Sequence, residues 1–339
     1  GLCWKDVEGQ VKAIREEGLE TLLFSLCTDD SHSATRVNEG HMDRAIRHAV
    51  STGLQPMTAI QMATINTAEH FGLTRELGMI APGRHADLLL VKDLQQFSAD
   101  LVIARGEVVV EDGNLLADHP LVRYPDWALQ SVHFPHMLTP VDFTITALRD
   151  FPHTAHVIGI IENQAPTRHL LMTVIPEKGE ILADMKRDVM KLALIERHHN
   201  TGKVQMGLVQ GFGFNCPCAI ASTVAHDAHN MIVVGTDGEN MAIAANHLAA
   251  MNGGQIVVKE GKVIGKVSLP IAGLMSDQPA VKVAEEASTV LEGLRKCGCD
   301  LQNANMQLSL LGLVVIPELR ISDLGLVDTT KFDFVHLLE

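Results

Sequence analysis

The spacing of apolar residues changes period at Gly72, and no single layer of secondary structure accommodates both patterns. Upstream, Val7, Val11 and Ile14 are spaced by four and three, which predicts an amphipathic helix over residues 7–17 that Gly18 ends. Met42, Ala45, Ile46, Ala49 and Val50 repeat helically over residues 40–51, with Asn38 as N-cap and Gly53 as the stop. Pro56 opens another helix to about His70, because proline is tolerated in a first turn whose N–H has no partner anyway. Between the first two helices lies the apolar run Leu22-Leu23-Phe24-Ser25-Leu26-Cys27, read as a strand that stops in Thr28-Asp29-Asp30 and points carboxylates at a site. Downstream of Gly72, residues 87–91, 101–104 and 107–110 are short β-branched and leucine runs separated by turn residues such as Gly106 and Asp112-Gly113-Asn114.

Composition bounds what such a chain does. With 339 residues and 46% hydrophobic content it can bury two or three cores. A formal net charge of −14 disfavours attraction to nucleic-acid phosphates or anionic lipid, and 4% aromatic content leaves few platforms on which single-stranded bases would stack. A small neutral substrate suits it better. There is no apolar stretch near membrane-span length and no signal peptide in the first residues, so a cytoplasmic location is expected. The cysteines at 3, 27, 216, 218, 297 and 299 include two Cys-x-Cys pairs, a spacing foreign to the usual zinc ribbon, and are read as reduced thiols.

Pro120, Pro125, Pro135 and Pro140 punctuate residues 117–140, which carry no sustained period and read as a connector at a domain boundary. Beyond it, strands are expected over residues 156–162, 170–175, 204–209 and 231–235, and helices over 240–251 and 281–297. Residues 255–258 and 262–269 pair around Glu260-Gly261 as a hairpin. His198-His199 read as facing the carbonyl end of a helix, and Ser276-Asp277 as able to cap the helix that follows.

A second motif adds a family. Leu77-Gly78-Met79-Ile80-Ala81-Pro82-Gly83-Arg84-His85-Ala86-Asp87-Leu88 follows an Asp-bearing strand and two helices, an order that resembles the amidohydrolase superfamily where its metal-bearing (β/α)8 barrel ends in a small β-sandwich. Within that superfamily Cys27-Thr28-Asp29-Asp30, Glu39-Gly40-His41-Met42-Asp43, the segment 59–66 and a tail carrying Ser222-Thr223-Val224-Ala225-His226-Asp227-Ala228-His229-Asn230 resemble the adenine-deaminating branch, from near residue 1 to Glu339. The resemblance implies a multidomain α/β and α+β chain: residues 1–72 the C-terminal end of the barrel, 73–118 β-sandwich strands, 119–140 the connector and 141–339 an α+β domain. It also implies hydrolysis of adenine to hypoxanthine and ammonia, two divalent metal ions per site, manganese or iron with zinc as an alternative, and a homo-oligomeric whole enzyme. Because Gly1 is not a methionine, the chain reads as truncated, the missing N-terminal half of the barrel holding the His-x-His ligands. Two rival readings are a cyclic amidohydrolase acting on another heterocycle and a non-catalytic assembly module.

By resemblance Asp29 ends the eighth barrel strand beside the metal and its hydroxide, as metal ligand and proton-transfer group. The chemistry agrees, because a carboxylate at the C-terminal mouth of a barrel strand reaches both the attacking water and the departing amine. The alternative is that Asp29 or Asp30 caps the next loop or helix. Asp30 is kept in reserve, and His32, Glu39 and His41 are placed near enough to touch purine nitrogens, though Glu39 also suits a helix N-terminus. His226-Asp227-Ala228-His229, with Ser222 upstream, reads as a lid or auxiliary site rather than as a metal site.

Overall fold

In the computed structural model, which describes residues 6–29, 31–118, 122–147 and 151–339, the chain divides into two units, residues 1–122 and 123–339. The first unit opens with five helices: α1 (Asp6–Glu17), α2 (Ser33–Asn38), α3 (Met42–Ser51), α4 (Pro56–Ala63) and α5 (Ile65–His70). Val11 and Ile14 of α1 pack with Ile46, Ala49, Ala59, Met62 and Phe97 in one small core, as their helical spacing requires.

Three expectations change here. Asn38 is the last residue of α2 and does not cap α3; α3 starts after His41, whose N–H is held by Asp43 Oδ1 at 2.7 Å. The helix expected over 56–70 breaks at Thr64, whose hydroxyl donates to the Ile60 carbonyl at 2.6 Å and offers the backbone an alternative to the helical ladder. The run 22–27 is not a strand. No neighbouring strand lies beside it among the described residues; instead the Asn66 side-chain amide donates to the carbonyls of Thr21 (2.8 Å) and Phe24 (2.9 Å), and the Leu26 N–H donates to Met62 O (3.1 Å).

The unit closes with a four-stranded antiparallel sheet in chain order, β1 (Leu88–Val91), β2 (Ala99–Ala104), β3 (Glu107–Glu111) and β4 (Asn114–Leu115). Gly106, at φ +87°, makes the turn between β2 and β3. Leu89, Leu90, Val108 and Leu115 remain exposed on these strands.

The second unit begins with the short helix α6 (Asp126–Leu129) and a 3-10 turn (Pro140–Phe143). The prolines of this stretch do not leave it loose: Asn246 brackets Leu138 with two hydrogen bonds of 2.9 and 2.8 Å, and Phe143 is fully buried. Then come β5 (His153–Ile160), β6 (Thr167–Val174), β7 (Val189–Ile195), β8 (Val204–Gln210), β9 (Cys218–Ser222), β10 (Met231–Gly235), α7 (Gly238–Ala250), β11 (Gly254–Lys259), β12 (Lys262–Ser268), α8 (Ala280–Lys296), α9 (Ala304–Leu310), β13 (Leu319–Ser322), β14 (Gly325–Asp328) and β15 (Asp333–Val335).

Eight of these strands form one sheet in the order β12-β11-β9-β10-β7-β8-β5-β6, and β13 to β15 form a separate small one. In the large sheet β5 and β8 run parallel and the other pairs antiparallel. The period-2 alternation of strands sends Leu192, Leu194, Ile232 and Val234 to the face covered by Val290 and Leu294 of α8 and Leu308 of α9. Ala193, Ile195, Met231 and Val233 face the other way, against Met241, Ala245 and Leu248 of α7. Burial on both faces removes the apolar–polar alternation from β7, β9 and β10 alike; β10 is still marked by its β-branched run Ile232-Val233-Val234, which β7, interrupted by Lys191, and β9, built largely of Cys and Ala, lack.

His198 and His199 consequently follow a strand, not a helix. Glu196 gathers this loop, its carboxylate accepting from the N–H groups of His198 (2.5 Å) and His199 (2.8 Å) and from the Thr201 hydroxyl (2.8 Å). The start of α8 is likewise capped by Pro279 without a side-chain bond, so Ser276 and Asp277 do not cap it. Among the described residues no helix is long and apolar enough to cross a membrane.

Candidate functional site

Of the predicted residues of the first unit, Asp29 and His32 lie between the run 22–27 and α2, and Glu39 and His41 lie between α2 and α3. Asp29 sits in the left-handed region at φ +48°, which Asp tolerates better than most side chains. It is exposed and makes no hydrogen bond or ion pair among the described residues. Asp30 lies outside the described residues. Beside Asp29, the Thr28 hydroxyl and His41 Nε2 are 3.0 Å apart. His32 caps α2, its Nδ1 accepting the Ala34 N–H at 3.3 Å, which leaves the ring proton on Nε2. Burial pushes the His32 pKa below the usual histidine range and favours that neutral ring.

Glu39 is otherwise engaged: Oε2 accepts from Arg44 Nε at 2.7 Å, and its carbonyl accepts from Arg47. Arg47 also pairs with Asp43 at 2.7 Å. Burial raises the Asp43 pKa, but the bonds from Arg47 and from the His41 N–H outweigh that and hold the carboxyl below the ordinary range. Gly40 permits this turn, since at φ +105° a β-carbon would stand 2.4 Å from Asp43 Oδ2. The segment therefore presents a free carboxylate, a neutral imidazole at His32 and an imidazole at His41 bonded to Thr28, while Glu39 is tied into an ion pair.

In the second unit His226 and Asp227 line an apolar cleft of about 620 Å³ together with Asn230, Val315, Leu324 and Phe332. The His226 and His229 rings lie 5.2 Å apart between centroids. His229 Nδ1 accepts the Ala225 N–H at 3.2 Å, and burial, then the neighbouring His226 and Arg197, push its pKa down. Asp227 is 76% exposed at the side chain and lies 3.8 Å from His226 Nδ1. Ser222 is not part of this cleft's wall: it is fully buried in β9, its hydroxyl bonded to the Val224 N–H at 3.0 Å and the Gln255 amide at 3.3 Å.

One residue that sequence reasoning missed organises this loop. The buried Arg197 guanidinium donates to the carbonyls of His229 (2.6 Å), Ser131 (2.7 Å) and Ala272 (3.0 Å), and burial lowers its pKa to about 10. Nothing in the sequence distinguishes Arg197 from a surface arginine, because its acceptors are backbone carbonyls from three distant segments. Convergence of metal-capable donors was also missed. Asp29, His32 and His41 do not form a convergent set of three, so among the described residues the first unit offers a divalent ion a carboxylate ligand and not a complete site. Among the described residues the only convergent group of three or more His, Cys, Asp or Glu is Cys216, Cys218 and Cys297, for which the Cys-x-Cys pairs were the available signal.

Comparison with known proteins covers both units. Residues 164–333 match the family described as adenine deaminase C-terminal domain, and residues 5–109 match the amidohydrolase family. Proteins named adenine deaminase from Paracoccus denitrificans and Roseobacter denitrificans are each 53% identical over the whole of this chain, which covers 56% of their length. One from Moorella thermoacetica is 43% identical, with 57% of its length covered. The chain thus spans about half the length of the curated relatives it matches. It belongs to the adenine deaminase C-terminal domain family, and that domain is preceded here by a segment that matches the amidohydrolase family.

Proposed function

We propose that this chain is the C-terminal part of an enzyme that hydrolyses adenine to hypoxanthine and ammonia. The observation that carries the reading is identity of 53% along the entire chain with proteins named for that activity, not along one domain of it. In this reading residues 1–72 are the end of a (β/α)8 barrel, residues 73–118 contribute to a β-sandwich, and the remaining barrel strands and the His-x-His ligands come from chain outside this sequence.

Asp29 is the residue assigned the central role. A carboxylate that is exposed and unpaired is available both as a hard-oxygen ligand for a divalent ion and as a proton carrier, whereas Glu39, paired with Arg44, is not. A pair of divalent ions of the manganese or iron kind, when bound, supplies an activated water and polarises the bond that breaks. Asp29 Oδ takes the proton from the attacking water and delivers it to the amine leaving adenine C6. His32, neutral and with Nε2–H as donor, together with His41 and with Asp30 in reserve, contacts the purine nitrogens. The cleft at His226 and Asp227 is assigned as an auxiliary site of the second unit.

The test is ammonia release from adenine with added Mn2+, measured for this chain alone, for the chain supplemented with the N-terminal half of the Paracoccus denitrificans relative, and for an Asp29→Asn version of that pair. Activity is expected only on supplementation, reduced by about 10²–10⁴-fold in Asp29→Asn. A folded, metal-loaded pair that leaves adenine untouched, or that releases ammonia faster from another aminated heterocycle, would overturn the assignment.

A further inference from the structure

The convergent thiols lie far from Asp29 in sequence and play no part in the deamination proposal. Cys216 precedes β9, Cys218 is the first residue of β9, and Cys297 is the C-cap of α8, so two pieces of chain distant in sequence deliver three sulfurs to one point. All three Sγ atoms lie within 4.8 Å of one another. Cys218 and Cys297 are fully buried and Cys216 half-buried. We propose that Cys216, Cys218 and Cys297 form a binding site for a thiophilic divalent cation of the zinc class, which fastens the loop before β9 to the end of α8.

The geometry suits such an ion. Tetrahedral Zn–S bonds of about 2.3 Å place sulfurs about 3.8 Å apart, so the three atoms need to close by no more than about 1 Å. Cys216 lies in the bend that leads into β9, two residues before Cys218, and that bend brings its sulfur to the same point as those of Cys218 and Cys297. The backbone around them is already held: the Asn215 N–H donates to Cys297 O at 3.0 Å, Glu260 N–H to Pro217 O at 3.0 Å, and Cys218 N–H to Thr236 Oγ1 at 2.9 Å. Half-burial of Cys216 leaves the fourth position of a tetrahedron open toward solvent, where water can complete it.

The electrostatics suit it as well. Cys297 ends a 17-residue helix, and the C-terminal end of a helix macrodipole favours a cation. Three thiolates around a divalent ion carry a net negative charge, and Lys259, whose Nζ donates to Lys296 O at 2.8 Å, stands by to offset it. The Cys218 thiol donates to the Cys297 sulfur, which drives the Cys218 pKa far up and the Cys297 pKa down. Metal binding replaces that arrangement with three metal–sulfur bonds, each thiol that ligates releasing its proton to solvent. Cys299, also buried, lies outside the convergent group, and burial raises its pKa to about 11. It provides an internal control.

The test uses the full chain, reduced and freed of metal, titrated with Cd2+ as a spectroscopic stand-in and then with Zn2+. Expected are a thiolate-to-cadmium charge-transfer absorption that saturates at one equivalent, its displacement by Zn2+, and protection of three thiols from a thiol reagent. Cys216→Ser, at the half-buried and most tolerant position, should weaken Zn2+ binding at least about tenfold, and Cys297→Ser should abolish it, while Cys299→Ser leaves it unchanged. Circular dichroism separates loss of a ligand from loss of fold, and Cys216→Ser keeps the test decisive if a buried variant unfolds. Unchanged Cd2+ absorption in a folded Cys216→Ser chain, equal thiol reactivity with and without Zn2+, or a disulfide joining two of the three in the folded protein would overturn the proposal.

Discussion

The two units solve the problem of apolar surface differently. In residues 123–339 the eight-stranded sheet is covered on one face by α7 and on the other by α8 and α9, so that both faces of β7, β9 and β10 are buried within the unit. In residues 1–122, described by itself, two leucines of the apolar run before Asp29 lie open: Leu23 is 97% exposed and Leu22 62%. A run such as 22–27 becomes a strand only when neighbours pair with its N–H and C=O groups. The contrast is that the second unit covers both faces of its sheet with its own helices, whereas the first leaves the apolar run before Asp29 uncovered by its described residues.

The largest effect expected from this contrast is on independent folding. Residues 123–339 expressed alone should give a cooperative thermal unfolding transition by circular dichroism, and residues 1–122 alone should give none. A sharp transition in the smaller piece would break the comparison. Next in size are paired truncations. Ile232→Ala, in the buried sheet, should cost about 2–5 kcal/mol in urea unfolding of the chain, while Leu23→Ala should stay within about 0.5 kcal/mol of the parent. Equal costs would mean that Leu23 is covered in solution.

Removing the buried guanidinium of Arg197 by Arg197→Ala should destabilise the chain by about 3 kcal/mol, because three backbone carbonyls lose their partner in a place with little water. It should also raise the hydrogen-exchange rate of residues 225–230 more than that of β10. The smallest effect is a pH dependence. The Thr330 hydroxyl first, then Lys331, hold the Asp328 carboxyl down to about 2 against burial, which acts the other way. Since the folded pKa lies below the unfolded value of about 3.9, the stabilisation is complete above about pH 4 and is lost as pH falls toward 2. Asp328→Asn should flatten that part of the stability profile, measured as the urea midpoint against pH, and leave the profile above pH 5 unchanged.

What could be read from residues alone follows the same division of physical causes. The hairpin β11–β12 was legible because Glu260-Gly261 is a turn with its own chemistry, and α1, α3 and α8 were legible because each buries one stripe. Strands β7 and β9 were not, because burial of both faces erases alternation and, unlike β10, neither has an unbroken β-branched run to mark it; His198-His199 was misplaced onto a helix as a result. The run 22–27 shows the opposite error: its composition is that of a strand, but strand pairing is a property of neighbours and not of the run. At the sites, Asp29 stood out by its place after an apolar run, whereas the engagement of Glu39 by Arg44, the burial of Ser222 and the gathering of loop carbonyls by Arg197 are long-range facts with no local mark. The thiols were visible as pairs; that Cys297 meets Cys216 and Cys218 across some eighty residues was not.

The most direct test of the account is hydrogen exchange on the chain with and without the N-terminal half of the Paracoccus denitrificans relative. The account predicts that amides of residues 22–28 gain protection by at least about tenfold on mixing, since an unpaired run acquires strand neighbours, while amides of β7 and β10 exchange at the same rate in both samples. Protection of residues 22–28 that is already high in the isolated chain, or unchanged when a folded partner binds, would contradict the proposal that the first unit is completed by chain outside it.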